Sequence, residues 1–174
     1  MSLDSTTEDE ALPLAKHGPA ADVAWVLLFL DGVVLLCSAL FWITRGRFFD
    51  PGFYEALTGG TWSIASALMP SLDRVATASV RFAGLLGVVT SAFVIAIATT
   101  SFRRGERWAW YAMLLLPAFA VLDFSLVAGY GAVTPTSVAW DAVIGGLALV
   151  SLVISYRAFF APAIPMREEQ ASLA

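Results

Sequence analysis

The stretch VAWVLLFLDGVVLLCSALFWI, Val23 to Ile43, contains one charged residue and is otherwise almost wholly apolar. It matches the roughly 20 apolar residues that a helix needs to cross the hydrocarbon of a bilayer. Three further runs meet the same length: Ala76 to Phe102, Trp108 to Tyr130 and Val138 to Phe160. None alternates apolar and polar residues with the period of two that a membrane barrel strand requires, so helices are expected. Composition agrees, because 59% of the 174 residues are hydrophobic, only 14% are charged and the mean hydropathy is +0.77. A water-soluble core of this size has no use for so much apolar surface. The expected fold class is all-α: a polytopic membrane protein, a bundle of four transmembrane helices with short interfacial helices in the first loop.

The tryptophans give an independent reading of depth, since indole prefers the headgroup level. Trp25 and Trp42 bracket the first run, Trp108 and Trp110 open the third, Trp140 opens the fourth and Trp62 lies in the first loop. From Trp25 to Trp42 a helix covers about 26 Å at ~1.5 Å per residue, close to the hydrocarbon thickness. Orientation follows from the basic residues. Lys16, Arg103, Arg104, Arg107, Arg157 and Arg167 fall on one side, against Arg45, Arg47 and Arg74 on the other. A multi-pass protein of the cell membrane with both termini in the cytoplasm is therefore expected.

Residues 1–22 are expected to form a disordered acidic cytoplasmic tail, residues 23–160 the transmembrane domain and residues 161–174 a short C-terminal tail. The N-terminus lacks the positive n-region of a secretory signal. In the first loop, Asp50 before Pro51 marks a helix start and Gly59 with Gly60 a stop. A second short segment, Thr61 to Met69, precedes Pro70, and Ser71 is expected to cap the helix that enters the second span. The string GAVTPTS reads as a tight turn. Gly84 with Gly87, and Gly145 with Gly146, are expected to let helices approach closely. Pro117 removes a hydrogen bond to the carbonyl of Met113 and predicts a kink in the third span.

Three strings, YEALTGGTW in the first loop, SVRFAGLLG in the second span and FRRGERWAWYA in the second loop, carry a family resemblance. The chain resembles a family of small four-helix prokaryotic integral membrane proteins over about residues 20 to 160. The resemblance implies the topology and attaches no activity to it.

Ionisable groups mark candidate chemistry in a membrane, because each costs roughly 2.5 to 3.5 kcal/mol at a helix centre on insertion scales. Asp31 is the most deeply placed. It is either a protonatable carboxylate facing an internal cavity, a possible proton or ligand site, or a packing residue beside Gly32, and the packing reading is favoured on sequence. Arg81, Asp123 and Asp141 are expected at similar depth near the opposite face. They suggest an ion-pair cluster that clamps the helices or, less favoured, binds a substrate. Cys37, the one cysteine, reads as a small buried hydrophobe.

Missing residue types exclude more. A single histidine, His17 in the tail, rules out a bis-histidine haem, and one cysteine leaves no zinc set or disulfide. No phosphate loop or nucleophile motif appears, and no basic patch suits nucleic acid. No catalytic residue, metal site or cofactor is therefore assigned. The expected partners are the lipid bilayer and either a second copy or another membrane protein. Two functional classes remain: a non-catalytic accessory subunit or binder of lipid or a hydrophobic small molecule, and a small proton-coupled transporter or channel using Asp31. An enzyme using Asp31 and Asp123 as acid and base ranks third, because about 9 Å or more of helix rise separates their depths.

Overall fold

A computed structural model describes residues 19–45 and 51–160. The described chain forms α1 (Pro19–Arg45), α2 (Pro51–Thr58), α3 (Trp62–Leu68), α4 (Pro70–Ile97), α5 (Arg107–Met113), α6 (Leu115–Gly129) and α7 (Pro135–Phe160). The last turn after α4, Ala98–Phe102, widens to π-type hydrogen bonding. Four helical stretches, Pro19–Arg45, Pro70–Phe102, Arg107–Gly129 and Pro135–Phe160, are long and apolar enough to cross a membrane. The expected tails, apart from residues 19–22, lie outside the described residues, as do Lys16, His17, Arg47, Asp50 and Arg167.

The spans are longer than hydropathy alone suggested. Residues 19–22, expected to belong to the tail, are the first turn of α1, where Pro19 sits with its preset φ. Likewise α4 begins at Pro70 with Met69 as its N-cap residue, so Ser71 lies inside the helix and does not cap it. Proline at the first helical position needs no partner for an N–H it lacks. The short loop helices form as expected, and Gly59 ends α2 with φ +70°. The third span breaks at Leu114, between α5 and α6, where Pro117 leaves the Met113 carbonyl without its donor.

Side-by-side order differs from chain order. α1 packs along both α4 and α7, α7 also carries α6, and α4 makes no extended contact with α6 or α7. The four spans therefore run α4, α1, α7, α6, with α1 and α7 central. Small residues make the α1/α4 seam possible. A Cβ on Gly84 would stand 2.8 Å from the Ala39 carbonyl oxygen, and one on Gly87 2.9 Å from the Ala39 Cβ. Beside Asp31, a Cβ on Gly32 would meet Ile95 Cγ1 at 2.7 Å. At the α6/α7 seam Gly145 meets the Ala120 Cβ at 2.7 Å, whereas Gly146 has nothing within 4 Å. The expectation for Gly146 fails because two consecutive helical residues point about 100° apart, and only one can face a given neighbour.

One end of the row is tied shut. The turn between the second and third spans brings Arg103 over the ring of Trp25 at 5.3 Å, while Arg107 Nε donates to the Phe159 carbonyl at 3.2 Å. Trp110 Nε1 donates to the Leu152 carbonyl at 3.1 Å, and its ring packs against Tyr156 and Phe160. At the other end, the loop end, α7 starts with reciprocal bonds between Thr134 and Ser137: each backbone N–H donates to the other's hydroxyl, at 3.1 and 3.2 Å.

The outward face of the bundle is compatible with a lipid surround. Phe82, Phe93, Leu115, Phe119 and Val153 are all more than 60% exposed, while Asp31, Ser91, Ser151 and Ser155 are fully buried. So many large apolar side chains on the outside suit lipid better than water.

Candidate functional site

Asp31 lies near the middle of α1, about 18 Å from Pro19 at ~1.5 Å per residue. Its depth relative to the other helices can be read from contacts. Gly32 abuts Val94 and Ile95, and the rings of Phe102 and Phe159 stack at 4.8 Å. Counting back seven residues along each of these parallel helices pairs Ile95 with Leu152. Asp31 therefore shares a level with Leu152, and Ser151 and Ser155 bracket that level on α7.

The faces agree with the levels. On α1, Gly32, Ala39 and Ile43 make the stripe that meets α4. Asp31, Ser38 and Trp42 make the neighbouring stripe, spaced at seven and eleven residues, whole numbers of turns to within about 20°. Ser38 and Trp42 line a groove of about 290 Å³ together with Cys37, Phe41 and Trp140 of α7, so this stripe faces α7. Eleven residues beyond Trp140, on the same stripe of α7, is Ser151, with Ser155 one turn further. The α1/α7 seam thus runs from an aromatic groove at the loop end down to the level of a buried carboxyl on α1 and two buried hydroxyls on α7.

The carboxyl and the two hydroxyls are not hydrogen-bonded to one another. Both carboxyl oxygens of Asp31 are buried without a hydrogen-bond partner. The hydroxyls donate along their own helices, Ser151 to the Leu147 carbonyl at 2.8 Å and Ser155 to the Ser151 carbonyl at 2.7 Å. Across the α4 seam, Ser91 does the same to the Val88 carbonyl at 2.9 Å. An ionised carboxylate in such surroundings is costly, and even a neutral acid forfeits the bonds it would make in water. Buried polar groups in folded proteins are nearly always satisfied, so an orphan at the centre of the fold calls for a reason.

The cluster expected from Arg81, Asp123 and Asp141 is only half present. Asp123 and Asp141 come together about one helical turn toward the loop end from the contact of Gly145 with Ala120, and Asp141 Oδ2 is buried without a hydrogen-bond partner. Arg81 does not join them. Among the described residues the ion pair within 4.0 Å is Arg104 with Glu106, and α1 stands between α4 and α7. Arg81 is also exposed, three residues toward the loop end from Gly84, which itself contacts Ile43. Arg81→Leu and Asp123→Leu should therefore be additive in thermal stability within about 0.5 kcal/mol, whereas Asp123→Leu and Asp141→Leu should couple. A double-mutant cycle on detergent melting would refute the separation by finding the larger coupling at Arg81.

Two other expectations change. Cys37 is exposed beside the groove and not buried, because an α1 that is apolar all round gives no sign of which side faces lipid. Asp31 and Asp123 are separated by about eleven residues of rise, or about 16 Å, which removes them as an acid and base pair. Sequence reasoning missed the groove and the seam serines. The signal was present in the spacing of Asp31, Ser38 and Trp42, and of Trp140, Ser151 and Ser155.

No family model, curated protein or solved structure matches the chain.

Proposed function

We propose that this is a non-catalytic multi-pass membrane protein that works by binding and releasing a proton at Asp31, as a small proton-coupled transporter. The observation that carries the reading is the fully buried, unpartnered carboxyl at the meeting of α1, α4 and α7. An accessory subunit held together by packing gains nothing from such a group, since an apolar side chain of similar size would avoid its desolvation. A transporter does gain, because a carboxyl without a fixed partner can exchange its proton for another ligand when the helices part. In the conformation described here Asp31 is buried, and the Trp110 and Arg107 contacts close one end.

The groove at Cys37, Ser38, Phe41, Trp42 and Trp140 favours a second reading, a binder of lipid or a hydrophobic small molecule. The proposed setting is the cell membrane with both termini cytoplasmic. Arg103, Arg104, Arg107 and Arg157 gather at the tied end, against Arg45, Arg74 and Arg81 at the loop end. A cysteine placed at Gly105 should resist an impermeant reagent added outside; labelling there would invert the orientation.

The functional test is flux. Protein reconstituted in liposomes with a pH gradient should dissipate it in the presence of its substrate, and Asp31→Asn should insert and fold yet lose the coupled flux. Full flux in a folded Asp31→Asn protein would return Asp31 to a packing role.

A further inference from the structure

We propose that the groove between α1 and α7 holds an acyl chain of an anionic phospholipid, with the lipid phosphate bound by Arg45 at the end of α1. The inference rests on the lipid-binding reading of the groove and names the lipid class. The groove itself calls for hydrocarbon. Its walls are Cys37, Ser38, Phe41 and Trp42 of α1 and Trp140 of α7, and the one hydroxyl among them, on Ser38, already donates to the Val34 carbonyl at 2.9 Å. Cys37 is exposed and Phe41 is 42% exposed, so the groove opens outward from the bundle.

The charge beside this wall is positive. The Arg45 guanidinium lies 5.6 Å from the centroid of the Phe41 ring. Arg45 is four residues beyond Phe41 and seven beyond Ser38, so it continues the groove stripe of α1 by one turn toward the loop end. From Cys37 to Arg45 the helix rises about 12 Å at ~1.5 Å per residue, with the charge at the outer end and the apolar walls below it. A phospholipid has the same order, a phosphate at the interface and hydrocarbon directly beneath. A guanidinium held against a ring face still has N–H groups directed outward in its own plane, and these can donate to phosphate oxygens.

Other occupants fit less well. A cation would meet the charge of Arg45. Inorganic phosphate would satisfy that charge but has no use for the apolar walls. A helix of a second copy is about 10 to 12 Å across with its side chains, whereas 290 Å³ is the volume of a cube about 7 Å on a side. One hydrocarbon chain suits such a space. The bilayer supplies it at this depth, since Trp42 and Trp140 mark the headgroup level and Cys37 and Ser38 lie below it.

The experiment uses the full chain in vesicles of dioleoylphosphatidylcholine containing a small, varied fraction of phospholipid brominated in its acyl chains, with either a glycerol or a choline headgroup. Bromine quenches tryptophan on contact, and the difference between the natural protein and Trp140→Phe isolates the signal from the groove. Brominated phosphatidylglycerol should half-saturate that signal at about one fifth of the amount that brominated phosphatidylcholine needs, the preference that one arginine near the surface gives an anionic lipid. Arg45→Gln should make the two headgroups equal, and Arg45→Lys should keep part of the preference. Arg74→Gln, on a helix that contributes nothing to the groove, should keep all of it. A preference that survives Arg45→Gln, or that falls as far with Arg74→Gln, would show a diffuse attraction to the loop end and overturn the proposal. Equal quenching of Trp140 by both headgroups in the natural protein would also overturn it and leave the lipid-binding reading standing. Trp140 shielded from both would sink the two together, and dimers trapped by crosslinking would then assign the groove to a second copy.

Discussion

A Gly84→Leu protein will not hold α1 against α4. The missing side chain at Gly84 lets the Ala39 carbonyl oxygen come within 2.8 Å of where a Cβ would stand, with Ile43 Cγ1 at 2.9 Å and the Ile43 nitrogen at 3.1 Å. Two of these three are backbone atoms, which cannot swing aside. Overpacking inside a tight interface typically costs about 1 to 3 kcal/mol, and a leucine against backbone belongs at or beyond the top of that range. The loss propagates, because α4 rests on α1 and has no extended contact with α6 or α7. Gly146→Ala is the matched control: with nothing within 4 Å it should be neutral or gain roughly 0.5 to 1 kcal/mol from reduced backbone freedom. Unfolding in detergent measures both, and equal stabilities for the two variants would show that the α1/α4 seam is looser than described.

Asp31→Val should give a protein more stable than the natural one and without coupled flux. The substitution deletes two buried oxygens that have no partner, and an unsatisfied buried group costs about 1 to 3 kcal/mol. Valine is close to aspartate in size and carries no polar atom to leave unpaired. The gain in stability and the loss of flux must appear together, since each alone has a simpler explanation. A gain without loss makes Asp31 dispensable. A drop in melting temperature makes it a structural hydrogen-bonding residue, as the packing interpretation holds.

The spans were legible because hydropathy over a window of span length depends on composition and not on which way a side chain points. Their neighbours were not legible for the same reason. A helix such as α1, apolar on all sides, has no polar face to mark its outside, so Cys37 was assigned to the interior and lies at the groove. Helix rise puts Asp123 and Asp141 at one level, and the two carboxyls interact. Equal depth does not imply adjacency, and Arg81 was joined to a cluster from which α1 separates it. Asp31 stood out as the deepest charge, but its lack of a partner is a property of three helices at once and cannot be seen along one.

The position of α1 between two later helices has a consequence in time. Asp31 and Ser151 are 120 residues apart in the chain. At ~5 to 20 residues per second of synthesis, roughly 6 to 24 s separate the appearance of the carboxyl from that of the helix that will cover it. During that interval α1 resides in the bilayer with Asp31 facing lipid on its α7 side. Its own hydrophobicity must retain it there, and the mean hydropathy of 2.5, the highest of the four spans, serves that end. A nascent chain halted before α7 should therefore be extracted from membranes more readily than the same chain carrying Asp31→Val, and the difference should vanish once α7 has been made.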